Sequence, residues 1–209
     1  MGYRSIIDSL KNLLISNRLC DIINSLINKN LQGEMNMGNA ILVCGLNGAG
    51  KSTLAKALAE RLNLRFIDIE DIYFDKKDNP NYPYEKSRSY GEVVSLLTNI
   101  VNDENDFVLA SVTGSFGDGF ISHLKCVILI EVPKEIRLKR VNDRSYMLFG
   151  EKSCKGGAFY EQIESFHNFC ASRDENLVND WLSTICCPII RVDGTLPICD
   201  NVNIITKKL

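Results

Sequence analysis

Between Ala40 and Leu62 the chain reads AILVCGLNGAGKSTLAKALAERL: a short apolar run, three glycines, a lysine with two hydroxyls, and an amphipathic stretch. The apolar run fits a buried strand and the amphipathic stretch a helix, so the glycines must turn one directly into the other. Gly45 to Ser52, GLNGAGKS, satisfies G-x-x-x-x-G-K-[ST] at every fixed position. Such a loop can aim successive main-chain N–H groups inward, with no Cβ in the way of an approaching phosphate. The helix that follows adds its positive N-terminal end. Gly45, Asn47, Gly48, Ala49, Gly50, Lys51, Ser52 and Thr53 are therefore expected to hold a nucleoside triphosphate, taken as ATP. Lys51 would reach the β- and γ-phosphates, the Ser52 hydroxyl would ligate Mg²⁺, and Thr53 would meet the α-phosphate.

The apolar runs AILVC (40–44), LRFID (64–68), FVLASV (107–112), CVILIEV (126–132) and PIIRVD (188–193) alternate with helical patterns. Continuous apolar strands suit a parallel sheet covered on both faces, and the alternation predicts a doubly wound α/β domain over 38–209. The fold class is thus a three-layer α/β/α domain with a five-stranded parallel sheet. Ahead of it, Ile6, Leu10, Leu13, Leu14, Ile22, Leu26 and Ile27 recur at helical spacing. Residues 1–37 therefore read as an amphipathic helical extension and linker. Such an extension suits packing on the domain surface, binding a partner, or pairing two copies into a homodimer.

Composition narrows the partners. A net charge of −2 and no long Lys/Arg block give no pull toward nucleic acid. No segment approaches the roughly 18 apolar residues of a membrane helix, and charged residues interrupt the first turns. The eight cysteines show no metal-ligand spacing and read as small buried hydrophobes in a reducing compartment. A cytoplasmic protein is expected.

The other P-loop classes leave marks that this sequence lacks. FVLASV ends through Ser111 into Thr113 and Gly114, with no strand-ending Walker B aspartate. There is no Asn-Lys-x-Asp for guanine and no Leu-Ser-Gly-Gly-Gln of transporter ATPases. Gly45–Thr53 followed by FIDIEDIYF (Phe66–Phe74) resembles the kinases of the shikimate, gluconate and adenylate kinase group. VILIEVPKEIRLKRVNDR (Val127–Arg144) is similar to their fourth strand and lid-entry helix, and CPIIRVDG (Cys187–Gly194) to their last strand and the loop beside the adenine. The stretch Phe149–Arg173, with CPIIRVDGT, resembles a bacterial family of AAA-type, shikimate-kinase-like ATPases. The glycine triplet with which shikimate kinases end the third strand is replaced here by SVTGSFGDG.

The resemblance implies a carboxylate at the end of the second strand. Alternation along an extended strand would put Asp68 and Glu70 on one face; a helix starting near Asp68 would pair Asp68 with Asp71 instead. By resemblance Asp68 takes the metal or its water and Asp71 the proton of the acceptor hydroxyl. Arg137, Arg140 and Arg144 share a helical face, and guanidinium groups grip phosphate oxygens in a fixed fork. Arg144 and then Arg140 are the expected catalytic arginines, beside a polar, glycine-bearing lid at about 145–160; Arg173 is a further candidate. The segment 72–105, with Tyr73, Phe74, Tyr82, Tyr84, Tyr90, Lys86 and Arg88, is where the acceptor is expected. The reading is an ATP- and Mg²⁺-dependent kinase acting on a small metabolite or nucleotide. The alternatives are a P-loop ATPase or binding module signalling through the N-terminal helices, and a kinase for nucleic-acid ends or antibiotics.

Overall fold

The structure is a computed structural model that describes residues 40–74, 84, 86–103 and 106–209. All of these belong to one unit, Gly38–Leu209. The extension assigned to residues 1–37, and any pairing through it, lies outside the described residues, as does Tyr82.

Five strands form the sheet: β1 (Ala40–Cys44), β2 (Arg65–Asp68), β3 (Phe107–Ala110), β4 (Leu124–Glu131) and β5 (Ile189–Asp193). All pairings are parallel, in the order β2-β3-β1-β4-β5. β1 lies at the centre, with Val43 opposite Ala110 on one side and Ile128 on the other. All five of its residues are buried, which is why its sequence is continuously apolar rather than alternating.

The third strand is shorter than the expected 107–112, ending at Ala110. Its neighbours explain this: the Ser111 N–H still bonds Val43 O at 3.1 Å, but Val112 O turns to accept from Gly45 N–H at 3.3 Å. The polar segment after β3 is therefore pinned to the start of the glycine loop.

Helices α1 (Lys51–Leu62), α2 (Ile69–Tyr73), α3 (Tyr90–Asp103), α4 (Asp118–Ile121), α5 (Lys134–Phe149), α6 (Tyr160–Ser172), α7 (Leu177–Leu182) and α8 (Ile198–Thr206) cover the sheet. One face packs Leu42, Leu109, Val127 and Leu129 against Val93 and Leu97 of α3 and Val178 and Trp181 of α7. The other packs Ile41, Val43, Val108 and Ile128 against Leu54 and Leu58 of α1 and Val202 and Ile205 of α8. Alternate residues of each strand feed opposite layers. Among the described residues no helix is long and apolar enough to cross a membrane.

Within the segment expected as a lid, 145–160, α5 runs on to Phe149. The connection to α6, Gly150–Phe159, opens with a 3-10 turn over Gly150–Ser153. It is closed on itself: Phe159 N–H bonds Lys152 O at 3.0 Å, and Phe149 and Phe159 stack edge to face with centroids 5.4 Å apart.

Cys44, Cys126 and Cys170 are buried, as expected, whereas Cys186 and Cys199 are exposed. Burial pushes the Cys44 thiol up to about 12, so it stays protonated beneath the loop.

Candidate nucleotide and acceptor site

The glycine loop leaves β1 at Gly45 and enters α1 at Lys51, so its N–H groups lead into the helix N-terminus. Gly48 and Gly50 adopt φ of +81° and +96°, in the left-handed region that side chains resist. At Gly48 the main chain also lies directly against Arg137 O, where a Cβ would collide. Lys51 folds back over the loop, its Nζ donating to Leu46 O at 3.2 Å. Burial lowers its pKa to about 8, against the pull of Glu70 and Asp68, and the positive charge of Arg173 lowers it further. A buried lysine drawn below its ordinary value, within the influence of two carboxylates and a guanidinium, is a candidate functional group.

The acids follow β2. Asp68 is the N-cap of α2, its Oδ1 accepting from Glu70 N–H at 3.0 Å. Starting the helix there turns Ile69 and Ile72 into the core, leaves Glu70 half-buried and exposes Asp71. Glu70 is thus the acid that meets the lid helix: Arg144 Nη2 donates to Glu70 Oε2 at 3.0 Å and to the Tyr84 hydroxyl at 3.2 Å. Partial burial works against the Arg144 charge, but Glu70 and Tyr84 outweigh it and hold its pKa up.

The three arginines of α5 go to three places. Arg137 is 2% exposed; it donates to Val132 O and Asn47 O, both at 3.2 Å, and to both Glu175 oxygens at 2.6 Å. Arg140 donates to Gly194 O at 3.0 Å and Ala49 O at 3.5 Å, which joins the loop after β5 to the glycine loop. Arg144 alone of the three reaches an acid after β2. Arg173, just past α6, donates to Asn47 Oδ1 at 2.7 Å and sits 4.9 Å from the Phe169 ring.

The acceptor segment is partly structural. Arg88 Nη1 donates to Ile72 O and its N–H to Tyr73 O, each at 2.7 Å, and so caps the end of α2. Tyr90 OH bonds Ser115 O at 2.9 Å, tying α3 to the segment after β3. Phe74 and Tyr84 stack edge to face at 5.3 Å. Glu70 is the functional candidate that the sequence reading placed behind Asp68 and Asp71; the signal that could have found it is its i+2 position from Asp68. Arg137 gave no sign in the sequence of its burial.

The donor set fits the group implied for it. The Ser52 hydroxyl and Asp68 carboxylate are hard oxygen ligands of the kind Mg²⁺ takes. Beyond Gly194, the carboxyl ends of β4 and β5 frame a groove of about 460 Å³ lined by Glu131, Val132, Pro133, Arg191, Val192 and Asp193.

Comparison with known proteins gives this geometry relatives. A family model described as an AAA domain matches residues 41–156, from β1 to just past α5. The uncharacterized protein YqaC of Bacillus subtilis is 25% identical over 175 residues, 80% of this chain and 95% of that protein. A shikimate kinase of Chlamydia pneumoniae is 41% identical over 54 residues, which are 25% of this chain and 31% of that enzyme. The crystal structure of a gluconokinase from Sinorhizobium meliloti 1021 is 14% identical with a TM-score of 0.47, covering 80% of this chain and 89% of that one. With more than half of its length matched, the chain belongs to the AAA domain family of P-loop proteins.

Proposed function

We propose that the protein is an ATP- and Mg²⁺-dependent kinase that transfers a phosphoryl group to a small metabolite or nucleotide. The observation that carries this reading is a carboxylate paired with a guanidinium from another helix, Arg144 Nη2 donating to Glu70 Oε2 at 3.0 Å, with the charges of Glu70, Asp68 and Arg173 all felt at Lys51. Phosphoryl transfer to a hydroxyl needs, besides the phosphate cradle, a carboxylate facing the acceptor and cations for the moving charge. Kinases among the relatives support the same reading.

The residues divide the work. The loop amides and Lys51 hold the polyphosphate. Ser52 and Asp68 would hold Mg²⁺, Asp68 through the carboxylate oxygen that does not cap α2; the ion would neutralise charge on the phosphates. Glu70 accepts the proton of the acceptor hydroxyl as the new O–P bond forms and the bond to the ADP oxygen breaks, a role for which Asp71, on the exposed side of α2, is less well placed. Arg144, released from Glu70, and Arg173 stabilise the charge of the moving group. Arg140 holds the loop and Gly194 together, beside the groove that would take the base. The lid, Gly150–Phe159, keeps water from competing with the acceptor. Residues 1–37 are an extension for packing, a partner or a second copy. The reading places the protein in the cytoplasm.

The test is ADP release from Mg·ATP in the presence of pooled small metabolites. One pool raising turnover far above background is the expected result. Equal turnover in every pool would replace the kinase with an ATPase or a nucleotide-dependent binding module.

A further inference from the structure

Asn47 is held from two sides. Arg137 Nη1 donates to its main-chain carbonyl at 3.2 Å, and Arg173 Nη1 donates to its side-chain Oδ1 at 2.7 Å. Two residues past Arg173, Glu175 takes Arg137 Nη2 on both carboxylate oxygens. Asn47, Arg173, Glu175 and Arg137 therefore close a circuit that runs from the glycine loop to the turn after α6 and back through the base of α5. Those two helices flank the lid.

The two arginines in this circuit are treated differently. Arg137 is buried against a carboxylate that cancels its charge, and it also bonds Val132 O. It is a fixed post. Arg173 is held by a neutral carboxamide oxygen, which orients a guanidinium without neutralising it. A guanidinium has five N–H donors, and the Asn47 bond uses one. Arg173 and Lys51 are held at neighbouring loop residues, Arg173 by Asn47 Oδ1 and Lys51 by Leu46 O, and Lys51 serves the β- and γ-phosphates. Two cations brought together beside a phosphate-binding loop repel each other until an anion lies between them.

We propose that Asn47 is a positioning residue: its carboxamide holds the Arg173 guanidinium, charge intact, at the γ-phosphate end of the loop, so that the site tells a triphosphate from a diphosphate through Arg173. This rests on the nucleotide-binding reading of the site. The main-chain N–H groups of the loop do not depend on the Asn47 side chain, so the rest of the cradle is unchanged by its loss.

The experiment is calorimetric titration of the full chain with Mg·ATP and, separately, Mg·ADP. The wild type prefers ATP. Asn47→Ala loses on the order of tenfold in ATP affinity, the scale of one charge-assisted contact, while ADP affinity holds within about twofold. Arg173→Gln gives the same loss with the loop sequence intact, and Asn47→Ser, too short to keep the Arg173 bond, takes the place of Asn47→Ala should that variant prove unstable. Asn47→Ala adds nothing in the Arg173→Gln background, because the two act through one group. A fall in both affinities, or losses that multiply in the double variant, would overturn the proposal. A wild type that prefers ATP, with that preference untouched by Asn47→Ala, would sink the positioning role and leave the kinase reading standing. A wild type that binds neither nucleotide would sink both.

Discussion

Arg144, in the last two turns of α5, and Glu70, in the first turn of α2, meet at 3.0 Å. The same Arg144 nitrogen also bonds the Tyr84 hydroxyl. The Arg144 side chain is 56% exposed and that of Glu70 32%. An ion pair this accessible adds at most about 1 kcal/mol to stability, so it is cheap to open. Arg144→Ala should therefore leave the unfolding midpoint and ATP affinity near those of the wild type, while acceptor-dependent turnover falls on the order of 10²-fold, the scale of a lost charge-stabilising donor. Unchanged turnover would take Arg144 out of the mechanism.

Glu70→Gln separates the acids. It keeps the shape and a hydrogen-bond acceptor for Arg144 but cannot take a proton. Turnover should fall by at least roughly 10²-fold, the range of a lost general base, with ATP affinity equal to or above that of the wild type because a negative charge near Lys51 is gone. The companion Asp71→Asn should cost much less. The reverse order of effects would return the base to Asp71.

The depressed Lys51 gives a pH signature with a definite sign. The free protein holds Lys51 near 8 rather than its ordinary 10.5, and a bound polyphosphate, being anionic, raises it again. At pH about 8.5 a good share of the free protein has lost this proton, so ATP binding should take a proton up. At pH 6.5 both states hold it, and Lys51 contributes no uptake. Stability follows the same logic. The unfolded chain binds this proton more tightly than the folded one, so the cost of burying Lys51 is full below pH 8 and is relieved as pH rises from 8 toward 10.5. Calorimetry in two buffers of different ionisation enthalpy reads the uptake, and Lys51→Met should abolish it.

Much of this was legible in the sequence, for physical reasons that differ by element. β1 could be read because a central strand covered on both faces must be apolar throughout, and Ala40–Cys44 is. The glycine loop could be read because its backbone conformation admits few residues. The α5 arginines show where such reading stops. Helical spacing puts Arg137, Arg140 and Arg144 on one face, but seven residues at about 1.5 Å each spread them over roughly 10 Å. They reach Glu175 and Asn47, Gly194 and Ala49, and Glu70 and Tyr84 in turn. Those partners lie far away in the chain, and only the fold brings them near. Asp68 was ambiguous because the same residue can end a strand and cap a helix; here it does both.

Two glycines of one loop should respond differently to alanine. Gly48 and Gly50 both sit at positive φ, which costs a side chain about 1–2 kcal/mol. At Gly50 a Cβ would have room, its nearest neighbour being Arg140 Nη1 at 4.0 Å. Gly50→Ala should thus lose about that conformational cost alone. At Gly48 the Cβ would run into the main chain of Arg137, which cannot move without disturbing α5. Gly48→Ala should lose more, on the order of 3–4 kcal/mol, and nucleotide binding with it. Urea unfolding of the two variants settles the order; equal losses would mean that the close approach to α5 is soft.

Glu175 is the stability counterpart. Its side chain is 48% exposed, but the guanidinium it holds belongs to Arg137, whose side chain is only 3% exposed. Removing the acid leaves a positive charge inside the molecule with carbonyls for company and no counter-ion. A fully buried pair broken in this way costs about 3–5 kcal/mol. The solvent around Glu175 reduces that, and Glu175→Ala should cost about 1.5–3 kcal/mol, the range for a hydrogen bond to a charged group. Lys134, 3.9 Å from the same carboxylate, is too exposed for its loss to matter, and Lys134→Ala should be within about 0.5 kcal/mol of the wild type. The measurement is the urea midpoint at constant slope. A Glu175→Ala variant as stable as the wild type would show that the Val132 and Asn47 carbonyls suffice to hold Arg137, and that the lid-side turn is tied to the loop by Arg173 alone.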